Sequence, residues 1–393
     1  MEKLIVKDFG PLKSIEITLK DLIIFIGKQG TGKSTLAKLI TIFRDKNFWS
    51  EIFTEETKTK EEIFILYLSN YGVNNYLQED SSIEYTSENF ILVFNNQTIE
   101  VKPSANFLAN IDSIAKIAII NESEDETSAF IKGFITTSIK NSNESIYIPT
   151  DRGLISFFSE IALTKLIKER PELIPNTIRN FYTTFNAAST KVKKLNISFL
   201  SIEYEKKNGN NYISLPNGKQ LALAENASGI QAVVPALIII EAFASSVDKV
   251  NYSFEEPEIS LFPTAQKSLV QTIAEKVINK GHKMIITTHS PYVLTSVNNL
   301  LWANSIVKEY PIALIDIQEI LGLKDFLSSK NTAVYYINDT EEYNQELINI
   351  ENIIDTDTGL ITESAIDVAS EEIGETFDNL NILYRKLKKA SKK

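Results

Sequence analysis

The nine residues GKQGTGKST, 27–35, constrain the fold of this chain more than any other feature. They follow a continuously apolar run, LIIFI, and precede a segment from Ser34 to Ile40 with good helix formers and apolar residues at helical spacing. A G-x-x-x-x-G-K-[ST] pattern between a strand and a helix is the phosphate-binding P-loop. Its glycines let backbone N–H groups approach a phosphate closely, and the helix N-terminus adds a partial positive charge. The sequence therefore predicts an α/β fold with a nucleotide site at this turn.

The loop also predicts individual roles. Lys33 is expected to reach the β- and γ-phosphates, and the Ser34 hydroxyl is expected to bind Mg²⁺. The predicted nucleotide-binding residues are the whole loop and the residue after it: Gly27, Lys28, Gln29, Gly30, Thr31, Gly32, Lys33, Ser34 and Thr35.

A second motif, FEEPE, follows a short predicted strand from Asn251 to Phe254. Two adjacent carboxylates at a strand end can divide two tasks, of which one is metal binding and the other is activation of a water molecule. We assign Glu255 to Mg²⁺ and Glu256 to the attacking water. The same residues also fit an acidic turn before a helix, where carboxylates interact favourably with the helix dipole.

His289 ends a third apolar strand, MIITT, and lies 33 residues after Glu256. This interval has room for one helix and one returning strand, which makes a β-α-β unit with both side chains at the same sheet edge as the P-loop. There, His289 is predicted to contact a γ-phosphate and to hold the attacking water. The alternative is a structural histidine without a role in chemistry.

Two further segments have open interpretations. In ASGIQ, residues 227–231, Ser228 is predicted to cap a helix and Gly229 to allow close approach of a phosphate. The alternative for this segment is an ordinary capped helix. In YIPTDRG, Arg152 is predicted to contact a phosphate or nucleic acid, or to form a structural salt bridge.

Composition excludes several classes of protein. The chain has no cysteine and two histidines, which excludes disulfides, thiolate zinc sites and multi-histidine metal sites. No apolar run reaches the roughly 18 residues of a membrane span, and we expect a cytoplasmic protein with no membrane contact. The net charge of −11 argues against a generic nucleic-acid coat protein. A local basic groove would have to use the lysine clusters at 191–194 and 206–207 or those of the C-terminal tail.

The ordered motifs GKQGTGKST, SGIQ, FEEPEISLFP and TTHSPYVL resemble the ABC-type ATPases of the RecF, SMC and OLD group. The opening VKDFGPLKSIEI and the segment YIPTDRG are similar to this group as well. The resemblance implies a P-loop ABC-type ATPase head that binds ATP and Mg²⁺, with an antiparallel β subdomain and a helical insert. Residues 1–50 and 225–310 would form the nucleotide-binding core, 51–224 the β subdomain and insertion, and 311–393 a C-terminal α/β extension.

The resemblance also implies roles by position. Glu255 and Glu256 would be the Walker B metal ligand and the catalytic base, and His289 would be the switch histidine. The signature residues would be Ser228, Gly229 and Gln231, which in this group contact the γ-phosphate held by the opposite subunit. Because the signature of one subunit would complete the site of the other, the resemblance implies a head-to-tail dimer or a higher multiple of it. The sequence departs from the pattern of this group at two places. The signature lacks the usual leucine-serine-glycine-glycine core, and Glu255 replaces a more common aspartate.

Three functions remain possible at this point. The tail segments VYYIND and SEEIGETFDNL resemble stand-alone ATPases of bacterial anti-phage systems such as PARIS, Septu and retron-linked ATPases. They favour a regulatory ATPase that controls a separately encoded nuclease or toxin. A RecF-like DNA repair ATPase would bind DNA in the presence of ATP, and a transporter subunit is disfavoured by the long insert. Asp355 and Asp357 mimic a Toprim aspartate pair but are predicted to form a turn, so we expect no nuclease domain in this chain.

Overall fold

The computed structural model describes residues 2–105, 144–157, 160–337 and 350–362. The strands in chain order are β1 (Glu2–Phe9), β2 (Leu12–Leu19), β3 (Leu22–Gly27), β4 (Ser82–Thr86), β5 (Phe90–Asn95), β6 (Thr98–Pro103), β7 (Glu144–Ile148), β8 (Lys194–Ile197), β9 (Ile202–Lys207), β10 (Asn210–Ser214), β11 (Gln220–Ala222), β12 (Val250–Glu255), β13 (Lys283–Thr288), β14 (Thr332–Ile337) and β15 (Ile350–Asn352). The helices are α1 (Lys33–Phe43), α2 (Lys46–Thr54), α3 (Lys60–Asn70), α4 (Leu154–Phe157), α5 (Glu160–Glu169), α6 (Asn176–Lys191), α7 (Ser228–Phe243), α8 (Pro263–Lys276), α9 (Pro291–Glu309) and α10 (Leu314–Leu321).

The central sheet has the order β15-β14-β3-β13-β12-β7, and all pairs are parallel except β14 with β15. Strands β3 and β12 are buried along their whole length. This burial explains why they read as continuous apolar runs rather than as alternating patterns. Because β3, β13 and β12 are parallel neighbours, the P-loop, His289 and the paired glutamates all follow strand ends at one edge. The predicted α/β fold and its β-α-β unit are confirmed.

Within residues 51–224, where the resemblance implied an antiparallel β subdomain, β4, β5 and β6 form a meander that does not stand alone. Strand β4 pairs with β1, which gives a five-stranded antiparallel sheet of order β2-β1-β4-β5-β6. The sheet therefore crosses the domain division that the sequence predicted at residue 50. Stacked rings of Phe43, Phe64 and Tyr85 join helices α1 and α3 to this sheet.

A separate antiparallel sheet, β11-β10-β9-β8, also lies within residues 51–224. In its turns, Asn208, Gly209 and Gly218 all have positive φ angles, of 50°, 79° and 79°. Asparagine and glycine adopt this backbone region at least cost, which is why these pairs predict turns.

Helix α8 ends at Lys276, and the residues after it form a 3₁₀ turn before Gly281. The predicted turn at Asp355 is confirmed, since its Oδ1 accepts hydrogen bonds from the backbone N–H groups of Asp357 and Thr358. The tail segment SEEIGETFDNL, 370–380, lies outside the described residues.

A buried charge cluster joins the two large sheets. Arg44, at the end of α1, donates from Nε and Nη2 to the two carboxylate oxygens of Glu2 on β1, at 2.7 and 2.8 Å. Lys283, at the start of β13, lies 3.0 Å from the same carboxylate, and the Tyr85 hydroxyl donates to it at 2.8 Å. Burial alone would raise the pKa of Glu2, but these partners lower it to about 2.

We predict that Glu2→Gln lowers the free energy of unfolding by about 3 kcal/mol at pH 7, because the substitution leaves a buried cation without its partner. The folded-state pKa of Glu2 is depressed, so its stabilisation is present above the unfolded pKa of about 4.5 and is lost as the pH falls toward 2. Urea denaturation between pH 7 and pH 2.5 should show the difference between wild type and variant shrinking. Glu16→Gln is the control, because its pair with Lys3 is on the surface and contributes less than about 1 kcal/mol. A constant difference across this pH range would contradict the assignment.

Candidate active site

The P-loop has the backbone that its glycines permit. Gly27, Gly30 and Gly32 have φ angles of 151°, 80° and 100°. A Cβ atom at Gly27 would lie 2.4 Å from the Ile337 carbonyl oxygen, and one at Gly32 would lie 2.3 Å from Leu12 Cδ2. Both glycines are therefore fixed by space as well as by backbone angle, and they let the loop fold tightly between β3 and α1.

Lys33 is buried at the start of α1, with its amine turned back into the loop. Its Nζ donates to the carbonyl oxygens of Gly27 and Lys28 at 2.8 and 2.6 Å. Burial lowers the pKa of Lys33 to about 8, although the nearby carboxylates of Glu256 and Glu258 oppose this shift. A buried cation inside the loop is placed to meet an incoming phosphate.

Glu255 ends β12, and its two carboxylate oxygens have different surroundings. Oε2 accepts from the N–H and the hydroxyl of Thr150, at 3.4 and 3.2 Å, while Oε1 is buried without a hydrogen-bond partner. Ser34 and Glu255 line one cavity of about 190 Å³, together with Thr150 and Asp151. A carboxylate and a serine hydroxyl that line the same cavity fit a hard cation that takes oxygen ligands, such as Mg²⁺.

The described part of the chain holds no cluster of three or more carboxylate, histidine or cysteine side chains that would bind a metal alone. Ser34 and Glu255 would therefore share the ion with phosphate oxygens and water, as is usual for Mg²⁺ in nucleotide sites.

Glu256 and His289 face each other beside the loop, with His289 Nε2 at 3.8 Å from Glu256 Oε1. Burial and the neighbouring carboxylates of Glu258 and Glu255 raise the pKa of Glu256. Burial and the positive charge of Lys33 lower the pKa of His289, against the opposing effect of a hydrogen bond with the Gly27 backbone. The pair is thus a carboxylate with increased proton affinity next to an imidazole that is neutral at pH 7, which suits general-base activation of water.

Arg152 forms no ion pair with a carboxylate side chain in the described part of the chain, so the predicted salt bridge was wrong, whereas its contact with a phosphate or nucleic acid stays a prediction. It is fully buried, and its guanidinium donates to the backbone carbonyls of Pro149, Ala232, Glu255 and Glu256 at 2.8–3.1 Å. The ring of Phe254 lies 4.8 Å beneath it. Burial lowers its pKa to about 10, so the group stays charged at pH 7. Arg152 therefore fixes the backbone that carries Glu255 and Glu256.

The ASGIQ segment differs from prediction in one respect. The cap position of α7 is Ala227 and no side chain caps the helix, so Ser228 is its exposed first residue rather than its cap. Gln231 is buried, and its amide donates to the carbonyls of Ala224 and Asn226 at 2.7 and 2.8 Å, so within this chain it fixes the segment before α7.

Gly229 has a packing reason to be glycine, because a Cβ atom there would lie 2.4 Å from the Ser260 carbonyl oxygen. The start of α7 therefore rests on the segment of residues 256–262, which we name the carboxylate loop because it begins with Glu256.

Sequence reasoning gave no role to Thr150 or Glu258, both of which lie at the site. Thr150 holds Glu255, and Glu258 Oε1 accepts from the Thr288 hydroxyl and the His289 N–H. Thr150 lies within the motif YIPTDRG and Glu258 within FEEPE. Their position inside these motifs was the feature of the sequence that could have indicated a role at the site.

We predict that Arg152→Lys lowers the free energy of unfolding by about 3 kcal/mol, because one ammonium group cannot satisfy four buried carbonyls. Urea denaturation measures this effect, and ATP turnover should fall with it. The control is Arg170→Lys, at an exposed pair with Glu172, which should leave stability unchanged within error. A fully stable Arg152→Lys protein that fails only to bind nucleotide would show that the guanidinium serves a phosphate instead.

The solved structures similar to this chain include SMC head domains, at low sequence identity. One is an SMC head domain from Thermotoga maritima, at 14% identity and a TM-score of 0.37, which covers 75% of this chain and 90% of that one. An SMC head with an extended coiled coil, bound to the C-terminal domain of ScpA from Pyrococcus furiosus, has 12% identity and a TM-score of 0.41, with 94% and 99% of the two chains covered. No curated protein matches the sequence.

The family comparison covers the whole site. The sequence profile of the AAA ATPase domain matches residues 1–154 and 111–294, about three quarters of the chain. These residues include the P-loop, Glu255, Glu256 and His289. The chain therefore belongs to the AAA ATPase domain family, and it is a P-loop ATPase.

Proposed function

We propose that this ATPase closes as a head-to-tail dimer around two ATP molecules and thereby controls a separately encoded nuclease or toxin in anti-phage defence. The observation that carries the proposal is the carboxylate loop. Glu256 at its start faces His289, and Ser260 near its end supports Gly229 at the exposed start of α7. The hydrolytic site and the surface that would meet a second ATP are thus parts of one rigid connection.

Within one head, the geometry supports a direct route for hydrolysis. The P-loop holds the phosphates, and Lys33 supplies positive charge. Mg²⁺, when bound by Ser34 and Glu255, would neutralise phosphate charge and orient the γ-phosphate. Glu256 would take a proton from water as the water oxygen bonds to the γ-phosphorus, while the bond to the β–γ bridging oxygen breaks and ADP leaves. His289 would hold that water in line.

A second subunit would add an anion-binding helix end to the site. The start of α7 has no side-chain cap, and the first N–H groups of a helix have no partner inside it. Such an end attracts anions, so Ser228 of one head would face the γ-phosphate bound by the other.

An exposed apolar surface supports the protein partner. We name it the α9–α10 face, and its exposed side chains are Trp302, Tyr310, Ile312, Leu314, Ile315 and Ile320. Helices α9 and α10 contact each other, and exposed apolar patches of this kind mark interaction sites. The matching effector surface would therefore present apolar side chains.

DNA binding is less well supported. The lysine clusters at 191–194 and 206–207 were the candidates for a basic groove, yet Lys194 and Lys207 both pair with Glu205. Lys191 lies over the ring of Phe243.

The described part of the chain has no helix long and apolar enough to cross a membrane.

We predict that Glu256→Gln accumulates as an ATP-loaded dimer, because nucleotide binds but the water is not activated. Native mass spectrometry with Mg²⁺ and ATP should show two chains with two ATP molecules. Lys33→Ala should stay monomeric, because it loses the cation that meets the phosphates. Adding Ser228→Glu to Glu256→Gln should abolish the dimer without loss of ATP, since it places a carboxylate against the partner's γ-phosphate. A monomeric Glu256→Gln protein that still holds ATP would refute the proposed dimer.

We predict that Ile315→Asp abolishes co-purification of the effector when the protein is expressed with its neighbouring genes, while the ATP-dependent dimer persists. Val247→Asp is the matched control, because Val247 is 94% exposed and lies outside the α9–α10 face. Protection against phage should be lost in Lys33→Ala and in Ile315→Asp but not in Val247→Asp. Equal effector binding by both aspartate variants would place the contact elsewhere. A dimer with no partner that binds DNA at low salt would favour the RecF-like alternative instead.

A further inference from the structure

Glu258 connects the carboxylate loop to the strand end that carries His289. Its Oε1 accepts two hydrogen bonds, from the Thr288 hydroxyl at 2.7 Å and from the His289 backbone N–H at 2.8 Å. Its Oε2 is buried without a hydrogen-bond partner. Both hydrogen bonds to this carboxylate therefore come from two consecutive residues, Thr288 and His289, at the end of β13.

The residues that follow extend this connection. The Ser290 backbone N–H donates to the Thr288 hydroxyl oxygen at 2.9 Å, and the Ser290 hydroxyl donates to Gln266 Oε1 at 2.6 Å. Thr288 thus donates to Glu258 while it accepts from Ser290. The turn between β13 and α9 is fixed from the carboxylate loop on one side and from α8 on the other.

This turn sets the position of the His289 imidazole. The side chain leaves the backbone at the residue whose N–H is bonded to Glu258, and it ends 3.8 Å from Glu256 Oε1. Glu256 and Glu258 belong to the same loop, and the positive φ angle of Glu256, 41°, turns the chain between them. One loop therefore supplies a carboxylate to the site and also holds the backbone of the residue opposite.

We propose that Glu258 is a positioning residue for ATP hydrolysis, which holds His289 at its working distance from Glu256. Glu258 acts through His289 and Thr288 rather than on the reacting atoms. This role adds to the ATPase activity and is independent of the proposed effector.

Glu258 accepts both hydrogen bonds at one oxygen, Oε1. A neutral side chain with an oxygen at that place can therefore test whether hydrogen bonding or charge is needed. In Glu258→Gln, the side-chain amide keeps an oxygen able to accept both bonds, with its NH₂ group at the place of Oε2. Glu258→Asp is shorter by one methylene and cannot reach both donors, and Glu258→Ala offers no acceptor. A role in hydrogen bonding and a role in charge therefore give different orders of activity.

The experiment is steady-state ATP hydrolysis by the purified full chain carrying each of the three variants, with ATP affinity and melting temperature measured in parallel. We expect kcat to fall about 10²-fold in Glu258→Ala and Glu258→Asp, as misplacement of a catalytic group by about 1 Å would cause. KM and ATP affinity should change less than about threefold, because the P-loop is untouched. Glu258→Gln should keep kcat within about threefold of wild type.

Two results would overturn the proposal. If Glu258→Ala retains kcat, His289 does not depend on this carboxylate. If Glu258→Gln loses as much kcat as Glu258→Ala, the charge matters and the hydrogen bonds do not. Thr288→Val removes one of the two donors and keeps the fold if Glu258→Ala proves unstable; its kcat should fall, and ATP affinity should not. None of these results depends on the effector.

Discussion

The parallel pairing of β3, β13 and β12 is the constraint on which the site depends. The register places Ile26 beside Thr288 and Thr287 beside Glu255, so the three strands end at one level. A shift of one residue in either pair would turn the side chains of that strand to the opposite face of the sheet. The continuous burial of β3 and β12 disfavours such a shift because apolar packing on both faces specifies the alignment.

Buried backbone carbonyls at the end of β12 need hydrogen-bond donors, and Arg152 supplies them. Its four donated hydrogen bonds join the turn at Pro149, helix α7, Glu255 and Glu256. The carboxylate loop also contains two non-glycine residues with positive φ, Glu256 at 41° and Ser260 at 57°. Such residues cost roughly 1–2 kcal/mol each. Their presence at the site, where other contacts hold them, is typical of functional loops.

The parts of the site that the sequence predicted are those with a local signal. The P-loop, the paired glutamates and His289 each follow an apolar run, and the run itself marks the strand end. The roles of Arg152 and Gln231 were not predictable in this way, because they depend on which carbonyl groups the chain brings near. The pairing of β4 with β1 joins residues about 80 apart, and no pattern within either strand specifies its partner.

The carboxylate loop links the nucleotide of one head to the surface of the same head. Glu256 and Glu258 bind its first half to the catalytic edge, and Ser260 supports Gly229 at the start of α7. In the proposed dimer, Ser228 beside that glycine faces the ATP of the partner. A change at one ATP would then shift the groups that contact the other, and by linkage the effect on binding is reciprocal. Because the loop has little space to move independently at Gly229, the two sites are expected to open together rather than one at a time.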